Sequence, residues 1–413
     1  MTPQDRSSGR VQALVARQRQ EMMKALVWRG AGDVRVEERP RPVIGSPGDA
    51  IVRVTSSFMC GSDLHMYHHA MPGMREGDVL GHVFMGRVEE VGADVTGFQP
   101  GDRVVASCFI IDGTCRYCQE GLVSLCEGTN PNPVMKTGYG DPLAAAYGYS
   151  HLAGGFDGGH AQFVRVPFAE HGLLKVPDTL TDDQAVLLAD NLPTGWMAAD
   201  YADAMNGGTI AVWGCGPTGL LAQYSARVMG AERIIAIDNV PERLEAARRH
   251  AGAETIDYRE HDVVERILEL TDGRGADACI ECAGFRYTKS LHHRVERALK
   301  LETDGIDAVT ECIRAARKNG TVVLIGDFIG YTNHFPVGAM MEKGLTVRGG
   351  QVNTQAYWPE LLPRLESGEM DPSWVITHHF PLEEGPEAMR LFDRKEGGVI
   401  GVVLNPDPEE VIR

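Results

Sequence analysis

Residues 209–219 read TIAVWGCGPTG, and this stretch decides the fold. An apolar run of strand length leads directly into the pattern G-x-G-x-x-G, and a helical pattern of apolar residues begins behind it. In such a turn Gly214 allows the tight bend, Gly216 lets the backbone approach a pyrophosphate, and Gly219 lets the helix pack closely on the strand. The stretch therefore predicts a dinucleotide-binding site; a glycine-rich turn without a ligand is the alternative.

The acid that follows the next apolar run supports a dinucleotide. Residues 233–237 read RIIAI and are followed by Asp238, at the spacing expected of the carboxylate that binds an adenosine ribose. Pro217 and Thr218 begin the helix whose free N–H groups would face the phosphates, since helix N-termini favour negative charge. No Arg or Lys directly follows Asp238, so a 2′-phosphate would meet a carboxylate without an adjacent cation. We therefore expect NAD rather than NADP.

Length, charge and cysteine content narrow the class of protein. A chain of 413 residues is too long for one ordinary core and fits two domains. Its net charge of -17 argues against a nucleic-acid partner and against anionic membrane surfaces, because both attract basic proteins. No apolar run approaches the roughly 18 residues of a membrane span, and the N-terminus lacks the apolar core of a signal peptide. The nine cysteines then indicate thiols and metal ligands in a cytoplasmic protein.

The sequence pattern changes along the chain. Residues 1–22 are polar and form an N-terminal extension without an assigned function. Residues 23–192 show short strands separated by Gly, Pro and Asp turns, which predicts a mainly β domain. Residues 193–340 alternate strands with helices, which predicts a doubly wound parallel sheet, and residues 341–413 return to the shorter mixed elements of the first domain. The expected fold class is therefore α/β with two domains.

Metal-ligating side chains occur in the β-rich domain and at its border. Residues 60–65 read CGSDLH, His82 follows LG, and Asp190 opens the segment DNLPTG. Thiolate, imidazole and carboxylate are the ligand types of a catalytic zinc, which keeps a fourth position open. Spacing alone cannot assemble Cys60, His82 and Asp190. Each also has an ordinary alternative as a buried thiol, a hydrogen-bonded imidazole or a helix cap.

Five pieces of sequence, in a fixed order, carry a resemblance to a known family. They are CGSD at 60–63, LGH at 80–82, PGDRV at 100–104, GGHAQF at 158–163 and the glycine turn at 214–219. With them the chain resembles the zinc-dependent medium-chain alcohol dehydrogenases over nearly its whole length from Met23. The resemblance implies a GroES-like catalytic domain followed by a Rossmann domain that binds NAD.

Two features resemble one branch of that family, the glutathione-independent formaldehyde dehydrogenases and the formaldehyde dismutases. Asp190 stands where many relatives carry Cys, and the long segment Phe285–Asp307 is inserted between two Rossmann elements. In that branch such an insertion covers the bound NAD, so slow cofactor release is expected. The branch makes formaldehyde and short primary alcohols the expected small-molecule substrates.

The resemblance also implies roles for the cluster and for the loop beside it. Cys60, His82 and Asp190 would hold the catalytic zinc, which acts as a Lewis acid on the substrate oxygen. Ser62 would take the alcohol proton and pass it through the cofactor ribose to His65, which exchanges it with water; a loop-structural role is the alternative for both. The expected reaction interconverts an alcohol, or a hydrated aldehyde, with its oxidised product, and the hydride passes to NAD.

Four further positions take their meaning from the resemblance. Cys108 and Trp196 fall where relatives line the substrate pocket. Arg243 falls where a basic residue of relatives reaches the adenosine ribose, and a surface helix charge is the alternative. Val83 stands where the family usually has Glu directly after the ligand His, which removes a carboxylate near the metal. We expect an active enzyme with weaker or slower metal exchange.

A second cluster is formed by Asp112, Cys115, Cys118 and Cys126. Relatives with a structural zinc show the spacing C-x-x-C-x-x-C-x7-C here, and Asp112 stands in the first position. Three thiolates and one carboxylate are acceptable ligands of a closed tetrahedral site. We expect a structural zinc; an empty loop, or Cys108 as the fourth ligand, are the alternatives.

Three other functions compete with an NAD-dependent dehydrogenase. A dismutase would keep NAD bound, oxidise one aldehyde and reduce another. A non-catalytic NAD-binding or lens-type relative and a zinc-free quinone reductase are the others, and the joint presence of the zinc ligands, Ser62 and His65 argues against both. Family members are usually dimers or tetramers paired through the edges of their Rossmann sheets, which implies a homodimer or homotetramer.

Overall fold

The computed structural model describes residues 21–140, 143–285 and 287–412. Residues 1–20 of the polar extension therefore lie outside the described residues. The strands, numbered in chain order, are β1 Met22–Gly30, β2 Asp33–Pro40, β3 Ala50–Met59, β4 Val83–Val91, β5 Arg103–Ala106, β6 Phe109–Ile110, β7 Ala145–Ala146, β8 Phe163–Val166, β9 Leu173–Lys175, β10 Thr209–Trp213, β11 Arg233–Asp238, β12 Glu254–Asp257, β13 Ala276–Glu281, β14 Ala316–Leu324, β15 Thr346–Gly349, β16 Ile376–Pro381 and β17 Gly401–Asn405.

Helices connect and cover these strands. The α-helices are Asp63–Tyr67, Arg116–Gln119, Pro133–Tyr139, Ala169–Gly172, Asp182–Val186, Asn191–Tyr201, Pro217–Met229, Pro241–Ala251, Val263–Leu270, Leu291–Ala298, Asp307–Ala315, Val337–Glu342, Thr354–Glu366 and Gly385–Arg394. The 3-10 turns are Val123–Leu125, His151–Ala153, Leu187–Ala189, Ala204–Asn206, Ser373–Val375, Leu382–Glu384 and Pro408–Glu410. Within the described ranges, none of the helices is long and apolar enough to cross a membrane.

The β-rich part is built on a seven-stranded sheet in the order β16-β17-β3-β4-β5-β9, with β8 also paired to β3. Neighbouring strands of this sheet run antiparallel, except that β16 and β17 run parallel to each other. Successive residues of a strand point to opposite faces; accordingly Val83 and Met85 pack in one core and Phe84 in another. Val402 of β17 pairs with Met59 of β3, so the chain returns to this sheet after residue 375. This return lies later than the expected boundary at residue 341, because β15 still belongs to the parallel sheet.

The second part is a six-stranded parallel sheet in the order β12-β11-β10-β13-β14-β15. Ile210 and Val212 pack in one core, whereas Ala211 and Trp213 pack in a second core on the other face. Both faces are therefore covered, which explains why residues 209–213 form an uninterrupted apolar run. The strand order reverses beside β10, and the carboxyl ends of β10, β11 and β13 meet at the edge where such sheets bind ligands. The expected doubly wound fold is confirmed.

Candidate active site

A cleft of about 780 Å³ is lined by residues from both parts of the molecule. From the β-rich part come Cys60, Ser62, His65, His82, Cys108, Tyr149 and Asp190. From the parallel-sheet part come Gly214, Gly216, Pro217, Thr218, Gly219, Asp238 and Arg243. The candidate metal ligands and the glycine-rich turn therefore open into one space.

Strand pairing brings two of the candidate ligands together. Phe58 of β3 pairs with Val83 of β4, so Cys60, just after β3, lies near His82, just before β4. Asp190 joins them from the junction between the turn Leu187–Ala189 and the next helix. Ligand atoms of Cys60, His82 and Asp190 lie within 4.8 Å of one another.

The geometry of this cluster fits a metal ion. Nε2 of His82 lies 3.3 Å from Oδ2 of Asp190, and Sγ of Cys60 lies 3.9 Å from the same oxygen. His82 is buried, and neither ring nitrogen makes a well-aligned hydrogen bond within the described part of the chain, although carboxylate oxygens lie 3.3 and 3.4 Å away. A buried polar atom without a partner is costly, and a cation shared with a thiolate and a carboxylate removes that cost. The three side chains would suit a zinc ion, and all three line the cleft.

Asp63 supports the cluster from behind. Its Oδ1 lies 3.4 Å from Nδ1 of His82, and its Oδ2 accepts the backbone N–H of Cys60 at 2.8 Å. Burial raises the pKa of Asp63, but the imidazoles of His82 and His160 lower it more, so the net pKa is well below its usual range. An ionised carboxylate behind a ligating imidazole fixes the ring orientation and strengthens the ligand. The position of Asp63 in the CGSD motif was the available sequence signal for this role.

Ser62 and His65 both face the cleft beside the cluster. Oγ of Ser62 lies 3.9 Å from Sγ of Cys60. Nε2 of His65 lies 3.5 Å from Oδ2 of Asp327, and its ring lies 4.6 Å from that of Phe285. The serine is thus next to the metal position, whereas the histidine meets residues of the parallel-sheet part.

The glycine-rich turn has the shape that a dinucleotide requires. Gly214 has a φ of +93°, a conformation that other residues rarely adopt. A Cβ on Gly219 would lie 2.0 Å from the carbonyl oxygen of Gly214, so only glycine permits this helix–strand approach. A Cβ on Gly216 would meet only the Arg243 guanidinium, at 3.9 Å, which leaves space in front of the helix N-terminus. That space suits a phosphate group.

Asp238 holds this turn and the following loop together. Its Oδ2 accepts the N–H of Cys215 at 2.7 Å, and its Oδ1 accepts those of Asn239 and Val240 at 2.6 and 3.0 Å. Arg243 is 6% exposed and also lines the cleft, and burial lowers its pKa. Arg243 is therefore not a surface charge of its helix. A carboxylate and a guanidinium border the space in which an adenosine ribose would lie.

Two family models match these two parts of the chain. "Alcohol dehydrogenase GroES-like domain" matches residues 46–178, and "Zinc-binding dehydrogenase" matches residues 217–367. Together they cover more than half of the sequence. The chain belongs to the zinc-type alcohol dehydrogenase family.

Relatives of similar length support the assignment to this family. A zinc-type alcohol dehydrogenase-like protein of Schizosaccharomyces pombe is 40% identical over 92% of this chain and 90% of its own length. The zinc-type alcohol dehydrogenase-like protein AdhB of Bacillus subtilis is 37% identical over 93% of this chain and 100% of its own length. The solved structure of alcohol dehydrogenase TADH from Thermus sp. ATN1 has a TM-score of 0.79 and 34% identity, over 93% of this chain and 99% of that one.

The fold also brings together Asp112, Cys115, Cys118 and Cys126, whose candidate ligand atoms lie within 4.8 Å of one another. The sulfurs of Cys115 and Cys118 are 3.5 Å apart, and the N–H of Asp112 donates to the sulfur of Cys126. Burial opposes ionisation of Asp112, but the N–H groups of Cys115 and Thr114 lower its pKa below the ordinary value. An ionised carboxylate beside three thiols fits a closed zinc site. Cys108 is not part of this group.

The two expected pocket residues lie in different places. Cys108 lines the cleft, and its sulfur is 3.7 Å from Oγ1 of Thr354. Trp196 does not line it; the side chain is 2% exposed in the core, and its Nε1 donates to Glu360 at 3.2 Å. The expectation for Trp196 is therefore corrected. Thr194, on the same helix, lines the cleft instead, because residues two apart on a helix point in different directions.

Tyr149 and Asp327 are among the cleft residues that the sequence argument missed. The ring of Tyr149 lies 4.9 Å from that of His82, in a segment with no regular pattern to place it. Asp327 follows β14 at the carboxyl edge of the parallel sheet, where ligand-facing residues are expected, so its position was a usable signal. Val83 is fully buried in the same core cluster as Cys60, so an apolar side chain occupies the position of the family's usual Glu.

Proposed function

We propose that this protein is a zinc-dependent oxidoreductase that transfers a hydride between an alcohol, or a hydrated aldehyde, and NAD. One observation carries the proposal: the cluster of Cys60, His82 and Asp190 and the glycine-rich turn line the same cleft. Either site alone would have an ordinary structural explanation. A substrate held at the cluster would therefore lie in the same space as a dinucleotide held at the turn.

In the proposed reaction, one group of residues binds the metal and another transfers the substrate proton. When bound, zinc supplies a Lewis acid for the substrate oxygen and NAD supplies the hydride acceptor. Cys60, His82 and Asp190 hold the metal, and Ser62 is close enough to the cluster to take the hydroxyl proton of the substrate. His65 exchanges that proton with solvent, because imidazole gains and loses protons near neutral pH.

The proposed preference for NAD over NADP rests on Asp238. Its carboxylate borders the ribose position and is held there by three backbone N–H groups. A 2′-phosphate would be repelled by this charge, although Arg243 lies nearby. The NADP KM is therefore expected to exceed the NAD KM, and Asp238→Ala should narrow the difference.

Formaldehyde and short primary alcohols are the proposed substrates. The branch resemblance of Asp190 and of the segment Phe285–Asp307 supports them. The cleft beside the cluster is also bordered by Cys108 and by the ring of Tyr149.

A dismutase with tightly bound NAD is the second candidate. Tyr287, Thr288, Lys289 and Arg294 of the inserted segment line the same cleft as Asp238 and Arg243. A segment in this position would hinder release of a bound dinucleotide. Oxidation of one aldehyde would then be followed by reduction of another on the same cofactor.

Two further proposals concern the assembly of the protein. Asp112, Cys115, Cys118 and Cys126 are proposed to bind a second, structural zinc, and the chain is proposed to form a homodimer or homotetramer. Metal analysis of the purified protein should give about two zinc ions per chain. Sedimentation should give a mass of two or four chains.

One assay distinguishes the two candidate activities. Zinc-replete protein with added NAD is given a panel of alcohols, and separately formaldehyde without glutathione, while NADH and aldehyde are followed together. A rise in NADH with an alcohol or with formaldehyde supports the dehydrogenase. Loss of formaldehyde without NADH supports the dismutase, and no change in either quantity contradicts both.

A further inference from the structure

Asn191 connects the metal cluster to the glycine-rich turn. It follows the candidate ligand Asp190 and is fully buried at the start of the helix Asn191–Tyr201. Its side-chain nitrogen donates to Sγ of Cys60 at 3.2 Å and to Oγ1 of Thr218 at 3.0 Å. An amide nitrogen carries two hydrogens, so both are used. One acceptor belongs to the β-rich part and the other to the first turn of the helix behind the glycines.

The orientation of this amide is fixed by its surroundings. Oδ1 of Asn191 is buried and has no hydrogen-bond partner among the described residues. Turning the amide over would place that oxygen against the sulfur of Cys60, which as a metal ligand is a thiolate and donates nothing. A buried carbonyl without a partner is unfavourable, and the two donated bonds offset that cost. A hydrogen bond to an ionised sulfur is the stronger of the two.

Thr218 links Asn191 to the space in which the cofactor would bind. It lies in the first turn of the helix Pro217–Met229, and it lines the cleft. A hydroxyl that accepts a hydrogen bond from Asn191 still has its own hydrogen to donate. Because the helix N-terminus favours negative charge, a pyrophosphate oxygen is the fitting acceptor.

We infer that Asn191 couples the two sites, so that zinc at Cys60, His82 and Asp190 and the pyrophosphate of the cofactor at the glycine-rich turn favour each other's binding. This rests on the proposed function, because it takes both sites as occupied in the working protein. With zinc bound, the Cys60 thiolate holds the amide and the amide orients the Thr218 hydroxyl. Without zinc the metal no longer fixes the position of the Cys60 sulfur, and the amide that donates to this sulfur loses that orientation. Coupling of this kind is reciprocal.

The test uses the full-length protein and ADP-ribose, which contains the pyrophosphate but no nicotinamide that could touch the metal. Its Kd is measured by calorimetry with zinc-replete protein and with protein depleted by a chelator. In the unaltered protein zinc should tighten binding by about fivefold or more, within the usual range of coupling between sites. Thr218→Val keeps the side-chain shape but removes the hydroxyl, and the effect of zinc should fall below about twofold. Thr218→Ser keeps the hydroxyl and should retain the full effect.

A second measurement does not depend on metal-free protein remaining folded. Cobalt replaces zinc, and the sulfur-to-cobalt absorption band is recorded before and after ADP-ribose is added; the part that changes is assigned to Cys60, because the loop cluster does not line the cleft and contributes a constant background. The band should move in the unaltered protein and in Thr218→Ser, but not in Thr218→Val.

The outcomes separate the inference from the proposed function. ADP-ribose that binds equally with and without zinc, or a Thr218→Val protein that keeps the full effect, would overturn the coupling while leaving hydride transfer intact. A zinc-replete protein that binds neither ADP-ribose nor NAD would overturn the proposed function, and the coupling with it.

Discussion

The two candidate metal clusters of this protein differ in access and in ligand number. Cys60, His82 and Asp190 are three candidate ligands that line a cleft, and the glycine-rich turn lines the same cleft. Asp112, Cys115, Cys118 and Cys126 are four candidate ligands close together, and they do not line that cleft. Three protein ligands leave a coordination position for a substrate, whereas four complete a tetrahedron. The first cluster is therefore suited to chemistry and the second to stability.

Removal of a ligand from the first cluster should have the largest effect. Cys60→Ala is expected to lower kcat by about a thousandfold or more, because a Lewis acid contributes several kcal/mol and each 1.4 kcal/mol is a factor of ten. Metal analysis should show one zinc fewer per chain. Cys279→Ala, which removes a buried thiol from the parallel-sheet core, is the control and should keep its zinc and most of its activity. A Cys60→Ala protein with nearly full turnover would show that the first cluster has no more catalytic importance than the second.

Loss of the carboxylate behind His82 should have an intermediate effect. Asp63→Asn keeps an acceptor for the Cys60 N–H but removes the charge beside the imidazole, so affinity for the first zinc should fall about 10–100-fold. Competition with a chelator of known affinity measures this change. Zinc in the loop cluster is the internal control and should be retained. Equal loss of both metals would indicate general unfolding instead.

A carboxylate restored next to the first cluster should have a smaller effect. Val83 is buried and directly follows His82 in the chain, and Val83→Glu should change the rate of zinc release severalfold by adding a transient ligand. Val83→Gln has a similar shape without the charge and is the matched control. Release is followed with a chromogenic chelator. Identical rates in all three proteins would show that this position does not govern metal exchange.

Disruption of the second cluster should leave catalysis nearly unchanged. Cys118→Ser is expected to remove one zinc and to lower Tm by roughly 5 °C or more, at about 2–4 °C for each kcal/mol lost. Its kcat at low temperature should stay within about twofold of the unaltered protein. Thr114→Ala, an exposed substitution in the same loop, is the control for Tm. A loss of turnover as large as that of Cys60→Ala would contradict the division of roles.

The two clusters also differ in what the sequence could reveal. Asp112 and Cys126 are only 14 positions apart, so their spacing predicted a common site before the fold was known. Cys60 and Asp190 are 130 positions apart, and only strand pairing and the closure of the two parts bring them together. Only the family resemblance predicted that these residues form one site, because their spacing in the sequence could not.

Local patterns predicted the parallel sheet well, since residues 209–213 and 233–238 are buried on both faces and carry continuous apolar runs. Directions of single side chains were harder to predict. Trp196 was expected in the pocket, but it lies two positions after Thr194 and therefore points roughly 200° around the helix. Asn191 had no role in the sequence argument, because its two acceptors come from distant segments.

The most direct test of hydride transfer in the shared cleft is the fate of deuterium. The best alcohol from the substrate panel is deuterated at the carbon that carries the hydroxyl, and the products are analysed by mass spectrometry with zinc-replete protein and NAD. Deuterium should appear in NADH; in the dismutase case, with deuterated formaldehyde, it should appear in the alcohol product. Both transfers should be absent in Cys60→Ala. Reduced product that carries only solvent hydrogen, or deuterium transfer that persists in Cys60→Ala, would contradict the account.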